Sequence, residues 1–170
     1  MSEPQVGIRD NENLHGATLD RAGQQELLAT QSECTVIFSG TDGWPSGVVM
    51  SFLEVDGTLW LTSVEGRAQT CAVATDPRVS IVVSNAGTRL EGRRMLAIRG
   101  TCHLHRDAET KAWFFPRFAA KLAPGGEAKF IQLMDSPKRV IFEVRPIAVP
   151  LSHDSRRMAG DGRGGPKPGA

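Results

Sequence analysis

The stretch that decides the fold covers residues 45–70 and reads PSGVVMSFLEVDGTLWLTSVEGRAQT. Apolar and polar side chains alternate over 46–55 and again over 58–64, as they do in half-buried strands. Asp56-Gly57 between the two runs is a typical tight-turn sequence. The stretch therefore predicts an antiparallel hairpin, followed by a sharp turn and a helix-like segment that reaches Thr75.

The flanking sequence predicts more short strands and a few helices. Four further strands are expected at 34–39, 79–83, 93–105 and 139–149. Three further helices are expected at 18–31, 107–122 and 126–134, with Thr18 as the first N-cap and Pro116 as a kink or delayed start. Six short strands with helices between them indicate a mainly β, α+β fold, namely a small six-stranded barrel with helical insertions.

Composition shifts divide the chain into three parts. Residues 1–17 are polar and aperiodic, which predicts a flexible arm, and 18–151 form the barrel domain. Residues 152–170 are rich in Gly, Pro and Arg, which predicts a disordered tail. Residues 160–165 match the spacing GxGxxG, but no strand precedes them and two prolines follow, so we do not interpret them as a dinucleotide fingerprint.

The overall composition excludes several classes of protein. A length of 170 residues suits one domain, and a formal charge of +1 argues against binding nucleic acid by bulk electrostatics. No apolar run is long enough to cross a membrane, and the N-terminus lacks the apolar core of a secretory signal. The three scattered cysteines indicate a reducing compartment, so the expected location is the cytoplasm.

The end of the second hairpin strand carries the best candidate site. Thr62 and Ser63 bring two hydroxyls, Gly66 permits a turn, and Arg67 and Gln69 then open a helix. Free amides at a helix start, with a guanidinium beside them, make a sensible phosphate cradle. The alternative is an ordinary helix start with Arg67 and Gln69 in solvent.

Other chemistry-bearing residues give weaker signals. His103 and His105 share one strand face but have no third ligand nearby in sequence, so no metal site is predicted. Cys71 follows the helix start, where a thiol pKa can be lowered, but we interpret it as a small buried packing residue. No catalytic residue can be assigned.

The order of these segments resembles the pyridoxamine 5'-phosphate oxidase-like family of flavin-binding split barrels. The resemblance covers roughly residues 18–150 and rests on the order and spacing of several segments. These are PSGVVMSF (45–52), DGTLWLTS (56–63), Gly66-Arg67, DPRVSIVV (76–83), IRGTCHL (98–104), AETKAWFFP (108–116) and DSPKRVI (135–141).

This resemblance implies a homodimer with FMN bound at the subunit interface. The backbone of the second strand would lie along the isoalloxazine ring, at Val49, Met50, Ser51 and Phe52. The end of the third strand and the next helix start would hold the phosphate, at Leu61, Thr62, Ser63, Arg67 and Gln69. Trp113 of the partner subunit would close the pocket.

The implied activity is that of an FMN-dependent oxidoreductase acting on an unidentified small molecule. Many relatives carry Lys where this chain has Gln69, so a deazaflavin-dependent reductase is an alternative, with the coenzyme tail along Arg93, Arg94 and Lys138. A non-catalytic flavin-binding stress protein is a third alternative. Haem is the least favoured cofactor.

Overall fold

The computed structural model describes residues 16–158. Six antiparallel strands close into a barrel in the order β1-β2-β3-β6-β5-β4, which confirms the predicted fold class. The strands are β1 (Glu33–Ser39), β2 (Pro45–Val55), β3 (Thr58–Val64), β4 (Arg78–Ser84), β5 (Arg94–His105) and β6 (Arg139–Asp154). The helices are α1 (Arg21–Thr30), α2 (Ala68–Thr75), α3 (Ala108–Leu122) and α4 (Glu127–Met134). None of these helices has the length and apolarity needed to span a bilayer.

The barrel core follows from the alternation of side chains along each strand. In β3, Leu59, Leu61 and Ser63 are buried inside, whereas Trp60 and Thr62 face outward and are half-buried. Every second residue of a strand points to the same face, so one apolar set from each strand fills the interior. The largest fully buried side chains of that interior include Phe52, Phe142, Leu59, Leu61 and Ile81.

The hairpin between β2 and β3 turns at the predicted dipeptide. Asp56 has φ of 50° and Gly57 has φ of 79°. Two successive positive φ angles are the requirement of the turn type that Asp-Gly favours, because its twist matches the strands. The local sequence therefore determines this hairpin.

Strands β2 and β3 are paired over only part of their length. β2 pairs with β3 through Phe52–Val55 against Thr58–Leu61, and with β1 through residues 45–51. The remainder of β3, Thr62–Val64, pairs only with β6. The two strands therefore diverge beyond Phe52 and Leu61, which leaves a gap in the barrel wall.

Helices α3 and α4 cover the outside of the barrel beside this gap. Phe114, Phe115 and Phe118 of α3 pack with Ile141 of β6 in a second apolar cluster, which α4 extends. This cluster accounts for the many aromatic residues of α3. The helix begins at Ala108, where Asp107 accepts a hydrogen bond from the Thr110 amide at 2.7 Å. The predicted delayed start at Pro116 is wrong, since Pro116 lies inside the helix.

Two predicted boundaries are also wrong. Asp20, and not Thr18, caps α1, because its carboxylate accepts a hydrogen bond from the Gly23 amide at 2.8 Å. Strand β6 runs to Asp154 rather than ending at Val149, and the Asp154 amide donates to the Ala17 carbonyl at 2.9 Å. The other predicted arm and tail residues, 1–15 and 159–170 with the GxGxxG spacing, lie outside the described residues.

Asp154 is expected to make stability depend on pH. Its buried carboxylate accepts hydrogen bonds from the Arg156 guanidinium at 2.7 and 2.9 Å and from the Arg156 amide. The guanidinium bond is the main reason that the pKa of Asp154 is lowered. The pKa of an Asp carboxyl in the unfolded chain is near 4. Because folding lowers the pKa of Asp154, its carboxylate stabilises the fold above about pH 4, and this contribution is lost as the pH falls through the lower pKa of the folded protein.

The test is urea unfolding of Asp154→Asn across this pH range. At pH 7 the variant should be less stable by roughly 1–3 kcal/mol, since it loses charge-assisted hydrogen bonds. The difference from the parent protein should shrink as the pH drops below about 4. A difference that stays constant with pH would contradict the assignment.

Candidate functional site

An open cavity of about 580 Å³ lies where β2 and β3 diverge, beneath α3 and α4. It brings together seven of the ten predicted site residues: Val49, Met50, Ser51, Thr62, Ser63, Arg67 and Gln69. They come from β2, from β3 on the other side of the hairpin turn, and from the start of α2. The gap in the strand pairing therefore creates the cavity.

The cavity exposes a free backbone edge of β2. The Phe52 amide donates to the Ser32 carbonyl at 3.0 Å, so the backbone groups of Phe52 face β1. Backbone groups alternate in direction along a strand, which turns those of Val49 and Ser51 toward the gap. No strand within residues 16–158 pairs with this edge of Val49–Ser51. The edge can donate and accept hydrogen bonds along a flat heterocycle.

Gln69 and Ser63 form a hydrogen-bonded pair in the cavity wall. Gln69 is 8% exposed, and its side-chain amide donates to the Ser63 hydroxyl oxygen at 3.1 Å. The interpretation of Gln69 as a solvent-exposed side chain is therefore wrong. The Ser63 hydroxyl only accepts in this pair and donates to no group among residues 16–158, so its proton is available to an anion.

Thr62 contributes less than the sequence predicts. Its hydroxyl donates to the Val140 carbonyl of β6 at 3.0 Å. A hydroxyl has a single proton, so Thr62 cannot also donate to a phosphate in this geometry. Ser63 is left as the better hydroxyl donor of the two.

Two arginines give one end of the cavity a positive charge. Arg67 at the start of α2 is exposed, and Arg139 at the start of β6 lies beside it. Burial, followed by the like charge of Arg67, lowers the pKa of Arg139, while Asp135 acts in the opposite direction. Sequence reasoning missed Arg139, which is 72 positions from Arg67 along the chain (139 minus 67).

The opposite wall of the cavity is apolar and comes from α3 and α4. It consists of Phe118, Leu122, Phe130 and Met134. The four-residue spacing of Phe118 and Leu122 is typical of one helix face, but it does not show which surface that face covers. The cavity therefore combines a cationic end, a polar strand edge and an apolar wall.

Three predicted site residues lie outside the cavity lining. The side chains of Phe52 and Leu61 are fully buried in the barrel core. Trp113 packs against Trp60, with ring centroids 4.6 Å apart, and carries the Arg117 guanidinium 4.9 Å above its ring. Within one chain Trp113 does not reach the cavity, so its predicted role remains that of a residue from the partner subunit.

Cys71 is exposed, so its interpretation as a buried packing residue is wrong. Other residues singled out in the sequence have local partners. His105 shares a 2.8 Å hydrogen bond with Glu143, which also accepts from Arg145 at 2.7 Å. Arg94, predicted to line a coenzyme groove, is 3% exposed and pairs with Glu26 of α1. Its guanidinium lies away from the cavity lining, so it cannot contribute to that groove.

Comparison with known proteins identifies the family. The family model described as pyridoxamine 5'-phosphate oxidase matches residues 23–152. A search of curated proteins finds no match. Among solved structures, the conserved hypothetical protein Rv2991 from Mycobacterium tuberculosis is 19% identical with a TM-score of 0.66, covering 81% of this chain and 86% of its own.

Two further structures share the fold. An FAD-binding protein from Mesorhizobium loti is 19% identical with a TM-score of 0.59, covering 79% of this chain and 94% of its own. An F420 reductase is 20% identical with a TM-score of 0.56, covering 74% of this chain and 94% of its own. Since the family model matches most of the chain, the protein belongs to the pyridoxamine 5'-phosphate oxidase-like family of split barrels.

Proposed function

We propose that the protein is an FMN-binding oxidoreductase whose cofactor occupies the cavity between β2, β3, α3 and α4. One observation carries this proposal: the cavity joins a cationic end to a free strand edge and an apolar wall. A phosphorylated flavin complements these three features. Its phosphate is an anion, one edge of its ring forms hydrogen bonds, and the face of its ring is apolar. The family and a structurally similar FAD-binding protein agree with it.

The residues fit the phosphate and the ring at opposite ends of the cavity. Arg67 and the amides at the start of α2 would hold the phosphate, together with the Ser63 hydroxyl. The backbone edge at Val49 and Ser51 would bind the polar side of the ring. Phe118 and its apolar neighbours would exclude water from the ring face. The bound flavin supplies the hydride chemistry, so the protein needs no acid–base side chain for that step.

The proposal includes a homodimer with each site completed by the partner subunit. Ile147, Val149 and Leu151 are exposed on β6, at 70%, 42% and 63%, and we call them the β6 strip. Large exposed apolar patches are typical of interaction surfaces. Val49 at the cavity is likewise 66% exposed. A second copy of the chain would cover both surfaces.

The deazaflavin alternative rests on the similarity to the F420 reductase. Both coenzymes carry a tricyclic ring and an anionic side chain, so the cavity alone suits either. Competition between FMN and the deazaflavin coenzyme for the purified protein separates the two. A protein that binds flavin tightly but shows no turnover with nicotinamide donors and common acceptors would instead be the non-catalytic flavin-binding protein.

The direct test is titration of FMN fluorescence with purified protein, beside the absorbance spectrum of the protein as isolated. Quenching at micromolar protein and a flavin absorbance band are expected. Absence of quenching at these concentrations would overturn the FMN proposal, and a haem or deazaflavin band would redirect it to the corresponding cofactor.

Arg67→Ala should weaken FMN binding with little effect on folding. Arg67 is exposed and makes no hydrogen bond or ion pair with residues 16–158 through its side chain, so its loss leaves no buried group unpaired. One charge-assisted hydrogen bond corresponds to roughly a tenfold to hundredfold change in affinity. Arg21→Ala, which removes an exposed arginine of α1 away from the cavity lining, is the control and should bind FMN normally. Loss of soluble Arg67→Ala protein would show instead that Arg67 is structural.

A further inference from the structure

Arg67 and Arg139 place two guanidinium groups at one end of the cavity. Arg139 opens β6 opposite Val64 of β3, which places it next to the turn that carries Arg67. Neither side chain forms an ion pair with a carboxylate of residues 16–158. Burial and the like charge of Arg67 lower the pKa of Arg139, and the opposing effect of Asp135 only partly offsets them.

Gln69 does not add a cation to this pair. Its amide is buried against the Ser63 hydroxyl, so it orients that hydroxyl and carries no charge. A phosphate at this end would therefore meet Arg67 as the single cation on the β3–α2 turn. Any second cation has to come from another element.

Arg139 has the geometry to supply that cation. Its Nε–H donates to the Met134 carbonyl at the end of α4, at 2.7 Å. Neither terminal Nη group has a hydrogen-bond partner among residues 16–158. One nitrogen thus fixes the side chain, and the two terminal nitrogens remain free to bind an anion.

We propose that Arg139 is the second phosphate-binding cation of this site, taking the part that a lysine at position 69 would otherwise play. The inference rests on the proposed function, since it assigns a residue to the anionic end of the same cofactor. Arg67 and Arg139 bind the terminal phosphate from two sides, and Gln69 acts only by positioning Ser63.

The experiment compares FMN with riboflavin, which has the same ring but no phosphate. Arg139→Gln should weaken FMN binding about tenfold to a hundredfold and riboflavin binding less than twofold. The control is Lys129→Gln, which removes an exposed cation of α4 outside the cavity lining and should change neither affinity. Gln69→Lys in the Arg139→Gln background returns a cation to the cavity and should recover most of the FMN affinity.

Two results would overturn the inference: unchanged FMN affinity in Arg139→Gln, or equal weakening of FMN and riboflavin. The second would mean that Arg139 acts only by holding α4 through Met134.

A second experiment, without flavin, tests this inference separately from the proposed function. Millimolar inorganic phosphate should raise the melting temperature of the parent protein and of Lys129→Gln, but not that of Arg139→Gln. If the parent protein binds neither flavin yet shows this pattern, the proposed function fails and the anion site stands. If phosphate stabilises all three proteins equally, or none of them, the assignment of Arg139 fails.

Discussion

Phe118→Ala is expected to lower the free energy of unfolding by about 3–5 kcal/mol. Phe118 is 1% exposed and stacks on Phe114, with ring centroids 4.6 Å apart, and its ring centroid lies 6.1 Å from that of Phe130 of α4. Removing the ring loses its burial and leaves a void between the helices and the barrel, because close-packed surroundings relax only in part. The loss is a large fraction of the stability of an ordinary domain.

The same substitution should also damage the cavity, since Phe118 lines its apolar wall. Phe115→Ala is the matched control, because Phe115 is buried in the same cluster but does not line the cavity. Urea unfolding should show a large loss of stability for both variants. The affinity of the folded protein for FMN and riboflavin should fall only in Phe118→Ala. Equal flavin affinity in the two folded variants would contradict the assignment of this wall.

Local patterns predicted the strands and the turn because each depends on neighbouring residues. The alternation in β3 separates Leu59 and Leu61 from Trp60 and Thr62, and Asp56-Gly57 has the backbone freedom that its turn needs. The ends of elements were predicted less well. Asp and Thr are both common N-caps, so the residue types at 18 and 20 do not decide where α1 begins.

The sequence predicted the site residues that are close together along the chain, and it missed those that come together only through long-range strand pairing. Ser63, Arg67 and Gln69 lie within seven positions on one turn, so their common location could be inferred from the sequence. Arg139 joins them only because β6 pairs with β3. The apolar wall depends on how α3 and α4 fold back over the barrel, which hydrophobic spacing does not specify.

The roles of individual side chains also needed the structure. Sequence gives Thr62 and Ser63 the same chemistry, but Thr62 donates its proton to Val140 and Ser63 accepts from Gln69. Phe52 and Leu61 belong to the sequence segments predicted to form the site, yet their side chains are buried in the core. A motif locates a stretch of backbone, whereas the alternation of the strand decides which of its side chains meet a ligand.

The double variant Ile147→Asp, Leu151→Asp is expected to convert the proposed homodimer into monomers. Burying an isoleucine and a leucine contributes about 1.5–3 kcal/mol each, so their loss alone should raise the dimer dissociation constant about a hundredfold to ten-thousandfold. Two carboxylates without partners at the interface would raise it further. Both residues are well exposed in the single chain, so the folded monomer should keep its stability.

Light scattering across a dilution series measures this change, with Leu133→Asp as the control. Leu133 is 78% exposed on α4, outside the β6 strip, and its substitution should leave the oligomeric state unchanged. A double variant that stays dimeric would show that the β6 strip is not the interface. Because each flavin site is proposed to lie between subunits, the monomeric variant should also bind FMN more weakly than the parent protein. Equal FMN affinity in monomer and dimer would mean that the cavity of one chain binds the cofactor without its partner.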